Sequence, residues 1–330
     1  MDERLSRLKS ARAGNILGAP KVDYGFLPGH QPFPMLLRPR AAGLIPGEWV
    51  KGNAAELEEK VKRHGAVLFR DFHIDTVERF QDFIRVFDAQ PLEYKQRSSP
   101  RYEVARNVYH STTYPADQPI NMHSENSYAR KWAMRILFCC IQPAAVQGET
   151  PIADTRVVLR HLREATREKF RELGVRYVRH IAPNLGLSWQ EIFQTKDRAA
   201  VEEECRNSGM AYEWKDEQRL VLSWTQEAIH VHPVTGEEVW FNHAFFFNKY
   251  ALPEEVLISL VSDDELPFNT FFGDGTPISL SEIEDIRSAY HYSTVCFPWQ
   301  KGDLLYMDNM LTAHGRSPYE GDRQILVSML

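Results

Sequence analysis

The sequence predicts an α+β protein in which a β-barrel or β-sandwich core is decorated by helices. Three observations carry this expectation. Short β-rich runs cluster near positions 120–141 and 294–329, helical patterns fill the first quarter and the middle, and no repeat, low-complexity tract or polar linker interrupts the chain. With 330 residues, 43% of them hydrophobic and 25% charged, the chain can bury a sizeable core. All-β folds of this size often form one unit, so a single domain over 1–330 is expected, with an extended lead-in over about 1–50.

The proline-rich stretch Leu27 to Pro46 reads as that lead-in, wrapping the body without regular structure. Asn53 then caps a helix to His64, Gly65 stops it, and Ala66 to Arg70 reads as a buried strand. Asp75 caps a second helix whose Val77, Phe80, Phe83, Ile84 and Phe87 recur at helical spacing and belong to the core. Tyr94 to Pro119 is polar and turn-forming, an irregular excursion that leads into a strand at Asn121 to Asn126. Met134 to Ile141 is apolar almost throughout and suits a central strand buried on both faces.

Thr155 to Leu162 and Arg163 to Leu173 read as helices, ended by Gly174 and followed by the strand Val175 to Arg179. Helical pieces follow at Trp189 to Phe193 and Arg198 to Asn207, then a hairpin across Ile229 to His243 around Thr235-Gly236. A helix over Glu282 to Tyr290 precedes strands at Thr294 to Trp299, Leu304 to Met307 and Gln324 to Met329.

A net charge of -6 excludes a general nucleic-acid binder, which needs a basic face to replace phosphate counterions. Cys139, Cys140, Cys205 and Cys296 lack CxxC or framework spacing, so reduced thiols are expected, mostly buried. Met1 to Gly14 lacks the apolar core of a signal peptide, and no apolar run approaches the ~20 residues that cross a bilayer. A cytoplasmic enzyme is the expectation. GxSxG, P-loop and Rossmann signatures are missing, which removes the usual marks of hydrolase, NTPase and nicotinamide chemistry.

What remains is a metal constellation. His123 and Glu125 stand two apart, so on a strand both would leave from one face. His314, at a strand end before Gly315 and Arg316, is the best distant third ligand. Two histidines and a carboxylate on one face of an octahedral ion, with the remaining positions open, suit a non-haem Fe(II) oxygenase. Arg323 begins the last apolar strand, where a buried cation needs an anion, and a dicarboxylate cosubstrate would supply it. Arg316 is the competing arginine, read as a surface or supporting group. Asn107, Ser111 and Asn126 flank the HxE strand and are candidate substrate contacts, as is His243 among Trp240, Phe241, Phe245 and Phe246. A rival three-histidine site would use His230, His232 and His243, although Pro233 and the following turn put the first two near a solvated hairpin tip.

The ordered segments Asn107-Val108-Tyr109, Thr113-Tyr114-Pro115-Ala116, His123-Ser124-Glu125-Asn126, Gly148-Glu149-Thr150-Pro151-Ile152-Ala153-Asp154, Trp299-Gln300-Lys301-Gly302-Asp303, Asp308-Asn309 and Ala313-His314-Gly315-Arg316 resemble the TauD/TfdA-like Fe(II)/2-oxoglutarate dioxygenases. The resemblance runs from about Val67 to the C-terminus. It points to the branch with glutamate in HxE, which holds clavaminate synthase-like, asparagine oxygenase-like and syringomycin-type aspartyl hydroxylases. It implies a double-stranded β-helix, or jelly roll, with His123, Glu125 and His314 on iron and with Thr150 and Arg323 on the 2-oxoglutarate carboxylate. Arg323 lies slightly closer to the distal histidine than in the taurine dioxygenase pattern, and His243 stands where relatives tend to have glutamine.

The implied reaction couples O₂ and 2-oxoglutarate decarboxylation to hydroxylation of an unactivated C–H. The branch suggests the β carbon of an amino acid, free or carried on a peptidyl carrier protein in natural-product biosynthesis. Desaturation or cyclisation is the nearest alternative. An intact carboxylate at Glu125 favours hydroxylation over halogenation, which needs that coordination position for a halide. Readings from other classes are a cupin-like metal isomerase or hydrolase and a non-catalytic jelly-roll binding module.

Overall fold

A computed structural model of the chain describes residues 21–87 and 103–330, apart from positions 113, 184, 261, 264 and 265. The readings of Met1 to Gly14 and of the excursion's first part, Tyr94 to Tyr102, lie outside the described residues.

The core is a jelly roll of a large sheet facing a small one. The large sheet orders its eight strands as Val22–Phe26, Met35–Pro39, Ala66–Phe69, Leu304–Asp308, Arg135–Gln142, Gln324–Met329, Val108–His110 and Glu103–Ala105. The small sheet runs Thr294–Val295, Ile152–Asp154, Thr312–Arg316 and Ile120–His123. Ile136, Phe138, Ile152, Trp299, Leu305 and Val327 fill the space between them. On the outer face of the large sheet, helices Pro46–His64 and Val77–Ile84 bury Trp49, Leu57, Phe80 and Phe83 against Phe69 and Tyr306. Each such side chain contributes about 1.5–3 kcal/mol of burial, which explains why Arg135–Gln142 and Leu304–Asp308 are nearly continuous apolar runs.

A third layer covers the open end of the roll. Its sheet orders Ala211–Trp214, Leu220–Gln226, Val175–Ile181 and Phe268–Phe272. Helices Glu164–Leu173 and Leu280–Ser293 share the same core, which includes Phe170, Tyr177, Trp240 and Ile286.

Several expectations are corrected. The proline-rich lead-in is partly regular: Met35–Pro39 pairs parallel to Ala66–Phe69 and antiparallel to Val22–Phe26. Pro28, Pro32 and Pro34 fall between these strands, where no ladder N–H is needed. The first helix begins at Pro46, a residue suited to a first turn, and only kinks at Asn53, whose side chain donates to the Trp49 carbonyl. Thr76, not Asp75, caps the second helix, while Asp75 pairs with Arg79 at 2.6 Å. Thr294 to Trp299 is strand only at its first two residues. Strands Ala211–Trp214, Leu220–Gln226 and Phe268–Phe272 went unread, and all three belong to the covering layer.

Candidate active site

The two histidines meet because their strands pair. His123 is the last residue of Ile120–His123 and lies directly opposite His314 in the antiparallel register, with ring centroids 4.5 Å apart. The register slips between His314 and Arg316. Gly315 permits this, since a Cβ there would sit 2.6 Å from the Ile120 carbonyl oxygen. The His123 Nδ1–H donates to the Asn121 carbonyl at 2.8 Å, which leaves Nε2 as the coordinating atom.

Glu125 arrives differently from the alternation expected of it. The strand ends at His123, and Glu125 sits in a turn in which Asn126 is left-handed at φ 56°. That turn, rather than a shared strand face, brings the carboxylate to the histidines. One donor atom each from His123, Glu125 and His314 lies within 4.8 Å of the others, and this is the only such three-residue group among the described residues. The donor set, two imidazoles and a carboxylate lining one cavity, fits Fe(II).

The cavity measures about 730 Å³. The Arg323 guanidinium, just ahead of the large-sheet strand Gln324–Met329, donates to the Gly148 carbonyl at 2.8 Å and reaches Ser111 Oγ at 3.5 Å and Thr150 Oγ1 at 3.4 Å. No carboxylate pairs with it among the described residues. Burial, and then the neighbouring Arg316 charge, pushes its pKa down to about 10, so it remains cationic at neutral pH. Thr150 also accepts from the Trp299 indole at 3.1 Å, which leaves its own O–H for an incoming oxygen. These groups form a cradle for a carboxylate beside the three donors.

Arg316 is neither at the surface nor part of that cradle. It is 3% exposed, and its guanidinium donates to the carbonyls of Tyr114 (2.8 Å), Pro115 and Gln118. It staples the loop before the HxE strand to the strand that carries His314. Of the substrate candidates, Ser111 and His243 line the cavity. Asn107 does not: it turns the short hairpin at φ 62° and its N–H donates to Glu103. Asn126 is buried and shapes the Glu125 turn instead of facing the cavity.

His243 is 3% exposed, its Nδ1 lies 2.6 Å from Ser127 Oγ, and its ring is 5.7 Å from that of His123. Burial, then the nearby His123, holds its pKa well below the usual histidine value, so it is neutral. The rival three-histidine site does not form. His232 is buried rather than solvated and bonds Asp308 at 3.1 Å, while His230 packs on Trp132 and Phe241. The same cavity is also lined by aromatic rings, Tyr128, Phe246, Phe247 and Phe268, of which Phe246 packs on His123 with ring centroids 4.5 Å apart. Sequence reasoning missed this lining. The run Phe245-Phe246-Phe247 was visible, but its spacing carries no sign of which ring faces a cavity.

A family model described as taurine catabolism dioxygenase TauD, TfdA family, matches residues 40–330. The chain belongs to the TauD/TfdA family. It is an Fe(II)- and 2-oxoglutarate-dependent dioxygenase, an enzyme whose chemistry also requires O₂. It is 37% identical over 277 residues to the dapdiamide synthesis protein DdaC of Enterobacter agglomerans, covering 83% of this chain and 84% of that one. A clavaminate synthase-like protein of Arabidopsis thaliana is 27% identical, with 91% and 94% covered. Among solved structures, PvcB from Pseudomonas aeruginosa shares the fold at a TM-score of 0.56 and 15% identity, with 95% and 92% covered. No helix among the described residues is long and apolar enough to cross a membrane.

Proposed function

We propose that this chain, acting as one catalytic domain, hydroxylates an unactivated C–H, at the β carbon of an amino acid or of an aminoacyl group on a carrier protein, in natural-product synthesis. The observation that carries the reading is the close approach of His123, Glu125 and His314 in one cavity with a cradle of Arg323 and Thr150 that has no carboxylate partner among the described residues. Similarity to a dapdiamide synthesis protein supports the natural-product setting.

In this reading His123, Glu125 and His314 hold Fe(II), which supplies oxidative decarboxylation of 2-oxoglutarate to succinate and CO₂ and oxidation of the substrate C–H. Arg323 binds the distal carboxylate of the cosubstrate as an ion pair, and the Thr150 hydroxyl donates a second hydrogen bond to it. Neutral His243, held by Ser127, presents a ring nitrogen to the substrate. The aromatic wall excludes water and sets the depth at which the substrate rests.

The test has two stages. Anaerobic Fe(II) with 2-oxoglutarate should give a weak visible charge-transfer band, and its absence from metal-competent protein would sink the assignment. Amino acids, free and carrier-tethered, should then be screened for substrate-stimulated succinate with mass analysis of products. A gain of one oxygen supports hydroxylation, whereas loss of two hydrogens would replace it with desaturation or cyclisation.

A further inference from the structure

We infer that Asn309 is a positioning residue that locks the Glu125 turn to the strand carrying His314, and that it thereby sets the affinity of the metal site. The inference rests on the proposed roles of Glu125 and His314. Asp308 and Asn309 belong to a sequence segment to which the reaction scheme above gives no task.

Asn309 is fully buried, and its side-chain amide makes three hydrogen bonds. Its Oδ1 accepts the Glu125 N–H at 2.8 Å, while its Nδ2 donates to the carbonyls of Glu125 and Ala133, both at 2.9 Å. Both backbone groups of the residue bearing the carboxylate are thus held by one side chain. Only an amide can accept on one atom and donate twice from the other at this size. Aspartate has the same shape but would set a carboxylate oxygen against two carbonyl oxygens.

Asp308 anchors the other end. Its Oδ1 accepts the N–H groups of Met310 and Leu311 at 2.9 and 3.1 Å, shaping the turn that delivers His314 three residues later. Its Oδ2 accepts from Arg135 at 2.6 Å and from His232. The His232 Nδ1 accepts from the N–H of Val234 and of Thr235, so its proton sits on Nε2, facing Asp308. Arg135 is paired in turn with Glu58 on the first helix. Burial works against charge on Asp308, but the His232 hydrogen bond and the Arg135 charge hold its carboxyl below the usual range. Asp308 therefore gives Asn309 a rigid base, tied to the helix layer and to the Ile229–Trp240 hairpin. Asn309 carries that rigidity to Glu125. A carboxylate on an irregular turn is otherwise the least constrained of the three donors.

Outer partners of metal ligands typically govern affinity by about 10–100-fold. Mn(II) binding to the full chain, read by electron paramagnetic resonance and paired with a thermal melt of the metal-free protein, tests the idea. Asn309→Asp should weaken Mn(II) by about 10–100-fold while the metal-free protein still melts cooperatively within a few degrees of the parent. Asn309→Ser gives the same readout if the aspartate variant does not fold. Unchanged Mn(II) affinity with a lowered melting point would overturn the inference in favour of plain packing, as would failure of both variants to fold. Glu125→Gln run in parallel separates the failures. If it loses Mn(II) and Asn309→Asp does not, only the positioning role falls, whereas if neither loses Mn(II), the assignment of the metal ligands falls with it.

Discussion

The cavity has two walls built on opposite principles. One, built where the ends of the small-sheet strands meet the ends of large-sheet strands, is polar and over-determined: His123 faces His314 across a ladder, Asn309 grips Glu125, and Arg323 and Thr150 share a cradle. The other, formed by the covering layer, is aromatic. There Phe247 and Phe268 stack at 4.0 Å and 6°, and the Arg179 guanidinium lies 4.8 Å from the Phe268 ring. Directed hydrogen bonds fix atoms to within tenths of an ångström, as coordination chemistry requires, whereas ring packing fixes volume and tolerates exchange. Under the proposed function the first wall carries the shared reaction, and the second chooses what is oxidised.

Substitutions on each side can break this division, and the largest effect belongs to the polar wall. Glu125→Ala should abolish the anaerobic charge-transfer band and cut succinate formation by more than the ~100-fold limit usual for outer partners of a metal. A surviving band would show that the carboxylate is no ligand. Next, Arg323→Ala removes a charge-assisted hydrogen bond worth about 1.5–3 kcal/mol, so half-saturation by 2-oxoglutarate should rise by about 10–100-fold. Arg316→Ala should leave it far less altered, because that guanidinium is spent on the Tyr114 to Gln118 carbonyls. Titration of the charge-transfer band ranks the two arginines, and the reverse order would move the cradle to Arg316.

Effects should shrink, and change kind, on crossing the cavity. His243→Leu is expected to lower kcat/KM for the organic substrate by about 10-fold, the loss of one hydrogen bond of ~1.4 kcal/mol, with 2-oxoglutarate saturation unmoved. A shift in both would place His243 with the polar wall. Phe268→Leu should change kcat/KM only a few-fold, and differently for substrates of different size, since apolar exchange of similar volume is well tolerated. Its band should match the parent's in position and intensity. A weakened band would mean that the walls are coupled.

Local order exposed much of the first wall in advance. His123, Glu125, Thr150, His314 and Arg323 stand in short segments whose residue types have few other uses, and the strands beside them have the expected burial, such as Ala66–Phe69 and Arg135–Gln142. The covering layer left weaker marks. Leu220–Gln226 buries Leu220, Leu222 and Trp224 at alternate positions, the pattern of any half-buried strand, so nothing in it marked a cavity beside this layer. His232 shows the converse: next to Pro233 it read as solvated, yet Asp308, 76 residues away, draws it into the interior.

Composition and residue order were enough to establish the class of fold and to single out the donor residues and two candidate arginines, because these depend on side-chain chemistry and on periodicity. What each arginine touches, how Glu125 reaches the histidines and which rings line the cavity were decided by folding alone. Arg316 and Arg323 are chemically identical, and only their distant neighbours, loop carbonyls for one and an open cradle for the other, assign them different work.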